Sequence, residues 1–306
     1  MHRRPQALTG SRRTRLVLTW FLLAASACGV KAVKKTTVVP PAAIQAPAKE
    51  ATAGELVGRL NAREEKIQTL TATVDFEPTA GSNYSGVIKE YHDVKGFILL
   101  KKPSFIRAIG QAPVVRTNIF DMVSDGKTFW LNIPPKHKFV TGPNSLTRPT
   151  RNPLENMRPQ HILDALLIPP IEPNRERFSY EEAEEENHKY YVLTAFAPAK
   201  TDELFPKRKV WLDRSDLEVV RLQLYGERGS YVEDVQYSGY QDFEGVHYPS
   251  QLRISRPIDD YGMTLTIQKA TFNQEITADK FQLKKPPNAE EVDLGADSKA
   301  EEGHGK

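Results

Sequence analysis

The sequence is poor in cysteine, in clustered histidine and in long apolar runs. Of 306 residues one is a cysteine, Cys28, so no internal disulfide can form. Six of the seven histidines (His92, His137, His161, His188, His247, His304) lie beyond residue 27, scattered without metal-ligand spacing. There is no Gly-x-Ser-x-Gly elbow and no phosphate loop. Glu90 with Asp121, or Asp213 with Asp216, are carboxylates of a kind common on strands and in turns. No catalytic residue, metal, cofactor or enzymatic activity is therefore expected. The apolar run Leu16 to Ala27 is far shorter than the roughly 20 residues of a spanning helix. A strong excess of one charge is also missing. The formal net charge is +3, and it falls to −2 without Arg3, Arg4, Arg12, Arg13 and Arg15. A nucleic-acid partner is not expected from such a balance.

What is present at the N-terminus is an address. A basic segment (1–15), a short apolar run and the small residues Ala25-Ser26-Ala27 before Cys28 follow the order of a secretory signal. The end resembles the bacterial lipobox, with Ala25 where Leu is common. Cys28 is expected to be the lipidated first residue of the mature chain, an ordinary cleaved signal or a membrane anchor being the alternatives. More than one acyl chain is needed for stable anchoring. Ser11-Arg12-Arg13 echoes a twin-arginine signal, but Arg15 stands where that pattern prefers Phe, which favours the general secretory route. Gly29 rather than Asp follows the cysteine, which points to the outer membrane, facing the periplasm. The expected organisation is a signal peptide (1–27), a Pro- and Lys-rich tether (28–50), a folded domain (51–287) and a disordered acidic tail (288–306).

The folded part reads as mainly β. Thr52-x-x-Glu55 has the form of a capping box and opens a helix over 52–69. From Thr71 the apolar period changes to two. Strands are expected at 71–76, 85–92, 96–101, 105–111, 117–124, 128–133 and 138–141. A second helix follows from Pro159, with Ile162, Leu163, Leu166 and Leu167 apolar. Seven more strands are expected, at 177–181, 189–196, 208–213, 217–225, 230–240, 247–255 and 262–273, with a solvated acidic turn at 181–186. Asp125-Gly126 predicts a two-residue hairpin turn between 119–123 and 129–133. Leu99 and its neighbours in 96–101 are apolar on both faces, so both faces are expected to be covered. A sheet of ten or more strands curls or closes. The fold class is α+β, mainly β: a large curved antiparallel sheet forming an unclosed β-barrel with a helical lid.

Alternation assigns the inward face. Ile106, Ala108, Phe129, Leu131, Leu222, Leu252, Ile254, Met263, Leu265 and Ile267 are the candidates to line an apolar hollow and bind a ligand. Leu56, Leu60, Ile67, Ile162 and Leu166 are the lid candidates. Acyl chains of lipids or lipoproteins suit such a hollow, because apolar burial supplies affinity without directional contacts. A core filled by the protein's own side chains fits the same pattern. Lys101, Lys102, Arg107 and Arg116 could meet phosphate head groups or simply line a solvated strand edge.

The blocks Gly96-Phe97-Ile98-Leu99-Leu100-Lys101-Lys102-Pro103-Ser104-Phe105-Ile106-Arg107 and Met122-Val123-Ser124-Asp125-Gly126-Lys127-Thr128-Phe129-Trp130 resemble the central motif of the lipoprotein-localisation (LolA/LolB) family. Ala278-Asp279-Lys280-Phe281-Gln282-Leu283-Lys284-Lys285-Pro286-Pro287 resembles its closing strand. The resemblance covers roughly 52–287 in order of elements. It implies an unclosed barrel with a helical lid, acyl chains in an apolar cavity, and neither reaction nor cofactor. It implies a gating role for Lys102, where the family more often has Arg. A lipidated N-terminus is receptor-like rather than carrier-like. The exposed apolar loop of such a receptor has a weak candidate in 167–171. The function expected is an outer-membrane lipoprotein acting in lipid or lipoprotein transport or reception. The alternative is a structural or protein-interaction envelope lipoprotein, with a protein partner in the envelope and no transported ligand.

Overall fold

A computed structural model describes residues 47–81, 89–90, 94–146, 149, 156–185, 187–197 and 203–295. The expected signal, Cys28 and most of the expected tether lie outside these residues, as do 296–306. Helix α1 (Ala53–Glu65) is followed by β1 (Thr69–Ala80), β2 (Lys89–Glu90), β3 (Val94–Lys101), β4 (Phe105–Gln111), β5 (Asn118–Ser124), β6 (Thr128–Ile133) and β7 (Lys138–Pro143). Helix α2 (Pro159–Leu166) then interrupts the strands. β8 (Arg177–Glu185), β9 (His188–Phe196), β10 (Pro206–Asp213), β11 (Val219–Tyr225), β12 (Tyr231–Phe243), β13 (Val246–Arg256), β14 (Tyr261–Phe272) and β15 (Glu290–Asp293) follow.

Among the described residues all fifteen strands belong to one sheet, in the order β15-β7-β6-β5-β4-β3-β1-β14-β13-β12-β11-β10-β9-β8, with β2 paired to β1 off this path. The two end strands do not pair with each other, so the sheet is not closed into a barrel. Consecutive strands form hairpins on either side of β1, which pairs with β3 on one edge and β14 on the other. The first strand thus zips the two halves of the sheet together. One buried cluster runs along the whole inner face and takes in Leu56, Val57 and Leu60 of α1 and Ile162, Leu163 and Leu166 of α2.

The helix starts where the capping box predicts. Thr52 N donates to Glu55 Oε2 at 2.7 Å, and Glu55 N donates to Thr52 Oγ1 at 3.3 Å. It ends earlier than expected, at Glu65, and Ile67 and Leu70 enter the core from outside the helix. At the central hairpin only Gly126 of the Asp-Gly pair has positive φ, +91°. Asp125 contributes its side chain instead, whose Oδ1 accepts from Lys127 N and Thr128 N, both at 2.8 Å.

Three other expectations differ. Residues 181–185 are not a turn: β8 runs to Glu185 with all nine residues paired to β9. The acidic tail carries a strand, because Glu290–Asp293 pairs in parallel with β7. In both places backbone pairing orders residues whose side chains bury almost nothing. The outer face of β3 is only partly covered: Leu99 packs with Ile276 and Phe281, while Phe97 stays 43% exposed. Of the strand expected at 85–92, only residues 89–90 are described.

Candidate functional site

The inner face of the sheet is the candidate site. In every strand that supplies a candidate, alternate residues point inward, and the two helices lie against them. Ile106, Ala108, Phe129, Leu131, Leu222, Leu252, Ile254, Met263, Leu265 and Ile267 all fall in one continuous cluster, each at most 2% exposed. The lid candidates Leu56, Leu60, Ile67, Ile162 and Leu166 belong to the same cluster. The structure therefore brings the inward-facing residues and the helical residues into one buried cluster.

Lys102 is not part of that cluster. It sits at the end of the β3–β4 hairpin, next to a cis peptide bond to Pro103. Its ammonium donates to the backbone oxygen of Glu64 in α1 and lies 4.0 Å from the Glu64 carboxylate. The charge near the C-terminal end of α1 also favours the helix dipole. Burial pushes the Glu64 carboxyl up to about 7, with Arg63 and Lys102 opposing the shift. Burial likewise lowers Lys102 from its ordinary value, against the pull of Glu64. The residue singled out as a gate is thus a pin between sheet and helix.

Further polar contacts hold the helices. Asn61 Nδ2 donates to the Ile171 carbonyl at 2.7 Å and Asn61 Oδ1 accepts from Ile171 N at 2.9 Å, tying α1 to the segment after α2. Arg63 Nη1 donates to Tyr240 OH at 3.0 Å. Tyr237 OH donates to the Ala165 carbonyl at 2.8 Å, which ties α2 to β12. Two of the other three basic candidates, Lys101 and Arg107, are already engaged. Lys101 Nζ donates to the Ile276 carbonyl at 3.1 Å, and Arg107 grips Asp121 through two hydrogen bonds of 3.0 and 2.8 Å.

Sequence reasoning missed two features. The first is a buried polar knot beside α2. Glu233, fully buried, accepts from Arg256, which also donates Nε to Asp259 at 2.6 Å. His161 meets Tyr261 OH through Nδ1. Burial pushes Glu233 up to about 8, Asp164 and Asp259 adding to the shift and Arg256 opposing it. Burial raises Asp164 to about 6 and lowers His161 well below its ordinary range. No local pattern announces this knot, because its members come from α2, β12, the end of β13, the β13–β14 turn and the start of β14.

The second is the β4–β5 turn. Val114 is 89% and Val115 68% exposed, at a tip closed by Arg116 N donating to the Ala112 carbonyl at 3.0 Å. The expected apolar loop at 167–171 is instead largely internal, with Ile168 and Ile171 buried. Pro113-Val114-Val115 lies outside any alternating run, and that signal could have marked it as a displayed apolar tip.

A family model described only as "-like: Uncharacterized protein" matches residues 172–285. No curated protein matches the sequence. Among solved structures, a DUF1329 family protein from Desulfovibrio piger is similar over 74% of this chain and 94% of that chain, at 11% identity and a TM-score of 0.50. A LolA superfamily protein from Nitrosomonas europaea is similar over 76% of this chain and 99% of that one, at 11% identity and a TM-score of 0.46. A putative outer membrane lipoprotein-sorting protein domain from Vibrio parahaemolyticus is similar over 74% and 95%, at 13% identity and a TM-score of 0.47. The class defined here is an open, curved β-sheet with two helices on its inner face. The DUF1329 protein shares that fold.

Proposed function

We propose that this protein is a lipid-anchored envelope protein that takes acyl chains of lipids or lipoproteins between its sheet and its helices. The observation that carries the reading is the continuous inner apolar face, at once the floor of the sheet and the seat of α1 and α2. The described form is the closed one, and uptake requires the helices to lift. Lys102 on Glu64 is the contact that would release α1. The motif blocks around Lys102-Pro103 and Asp125-Gly126 and the lipobox-like end at Cys28 support the same reading. The exposed Val114-Val115 tip supplies an apolar contact for a membrane surface. Lipidation of Cys28, an outer-membrane location and a role in transport or reception belong to this proposal. So do the ten inner-face residues as ligand contacts.

Native mass spectrometry of the protein after mild extraction tests it. Bound lipid masses that vanish on denaturation are the expected result. A clean protein mass in lipid-rich extracts would overturn it. A second reading is favoured by one observation, the near-complete burial of all ten inner-face candidates. In that reading the hollow is permanently filled and the protein serves a structural or partner-binding role in the envelope.

A further inference from the structure

The outer face of the second half of the sheet carries a groove of about 390 Å³, lined among others by Tyr190, Trp211, Arg221, Gln236, Gln251 and Arg253. Trp211, Arg221, Gln236, Gln251 and Arg253 alternate along their strands with Val210, Leu222, Val235 and Leu252, which are in the core. The groove therefore lies opposite the helices and is separate from the inner apolar face.

Local irregularity shapes it. Trp211 pairs with Arg221 while Leu212 pairs with Val219, so Val220 is an extra residue in β11. Such a bulge twists a strand and re-aims its side chains. Val220 joins the lining as a result. The floor is aromatic, with the Tyr190 and Trp211 rings edge-to-face at 5.8 Å and 74°. The Arg221 guanidinium lies 5.7 Å from the Trp211 ring centre. It is fixed there by Asp234, whose carboxylate accepts from Arg221 Nε at 3.0 and 2.9 Å and from Tyr231 OH at 2.8 Å.

We propose that this groove binds an oligosaccharide, neutral or weakly acidic, with a sugar ring set against Trp211 and Tyr190. The lining fits that chemistry. Aromatic rings offer an apolar surface beside a polar tip, which suits the mixed character of a pyranose. The amides of Gln236 and Gln251 both donate and accept, as hydroxyl groups require, and Arg253 adds donors in a planar fork. The Arg221 charge is neutralised by Asp234, and the lining carries one further charge of each sign, Glu185 and Arg253, so no strong field selects a highly charged ligand. An extended peptide is disfavoured. It would look for free backbone groups, and the central strands β10 to β13 are paired on both sides.

The test uses the full-length protein in detergent with chitotetraose and maltotetraose as probes, read by saturation-transfer NMR and tryptophan fluorescence. Saturable binding of at least one sugar is expected. Trp211→Ala should weaken it about tenfold or more. Gln251→Ala, at an exposed rim position that leaves the fold alone, should weaken it about threefold to tenfold. Trp130→Phe, in the other half of the sheet, should leave it unchanged. The proposal is overturned if neither sugar binds saturably, or if Gln251→Ala and a folded Trp211→Ala both bind as the parent does. Lipid content is read separately, so this result is independent of the acyl-chain reading.

Discussion

Gly110 shows how one residue governs the inner face. It pairs with Gly96 across β3 and β4, and a Cβ placed on it would lie 2.3 Å from the Phe120 ring. Phe120 in turn meets Phe76 edge-to-face at 5.3 Å. Gly110→Val should push Phe120 out of this pair and cost about 1–3 kcal/mol as overpacking, seen as a lowered denaturant midpoint. The buried carboxyls give a second prediction. Glu233 and Asp164, raised to about 8 and about 6, and Glu64, raised to about 7, keep their protons in the fold at pH values where the unfolded chain has released them. The folded state then binds more protons, so stability is full below the ordinary carboxylate range and is lost as pH rises toward 8. Thermal midpoints should fall between pH 5 and 8, and Glu233→Gln should flatten that slope. A midpoint constant over this range in the parent protein would remove the basis for the raised values. Neither feature could be read locally. The glycine pair needs the strand register, and the carboxyl knot needs three elements brought together.

Among the elements, α1 and the strands β3 to β6 were legible because each carries its own signal. The capping box set the start of α1, and strict alternation set Phe105–Gln111 and Thr128–Ile133 to the residue. β8 was legible only over 177–181; its second half and β15 were not, for one physical reason. Glu181, Glu182, Glu184 and Glu185 are exposed, and in β15 only Val292 is half-buried. Strands held by backbone pairing alone leave no pattern in the side chains. The packing of α1 leads to a prediction at this scale. Leu60 is 1% exposed within the main cluster. Leu60→Ala should cost about 2–5 kcal/mol through lost burial and a residual cavity. An exposed change on the same helix, Gly58→Ala, meets nothing within 4 Å and should stabilise by roughly 0.5–1 kcal/mol. Urea midpoints of the two variants should move in opposite directions.

For the whole molecule, under the proposed acyl-chain reading, the decisive quantity is the difference between a helix and a ligand on the same apolar floor. Leu56, Val57, Leu60, Ile162, Leu163 and Leu166 are the helical side chains buried there. At about 1.5–3 kcal/mol each they contribute on the order of 10 kcal/mol. A long acyl chain, at about 0.8 kcal/mol per methylene, contributes a similar amount. The exchange is therefore close to balanced, and small polar contacts can decide it. Lys102 on Glu64 is such a contact, with one side chain partly exposed and the other buried. Lys102→Met leaves Glu64 buried with Arg63 as its remaining charged neighbour, which should destabilise the closed form by about 1–3 kcal/mol. If the helices are a lid, the same variant should carry more bound lipid than the parent protein in native mass spectra, because the competing closed state has been weakened. If the helices are a permanent filling, Lys102→Met should lower the thermal midpoint and leave lipid content at the parent level. The two measurements on one variant separate a protein that opens from a protein that is merely packed.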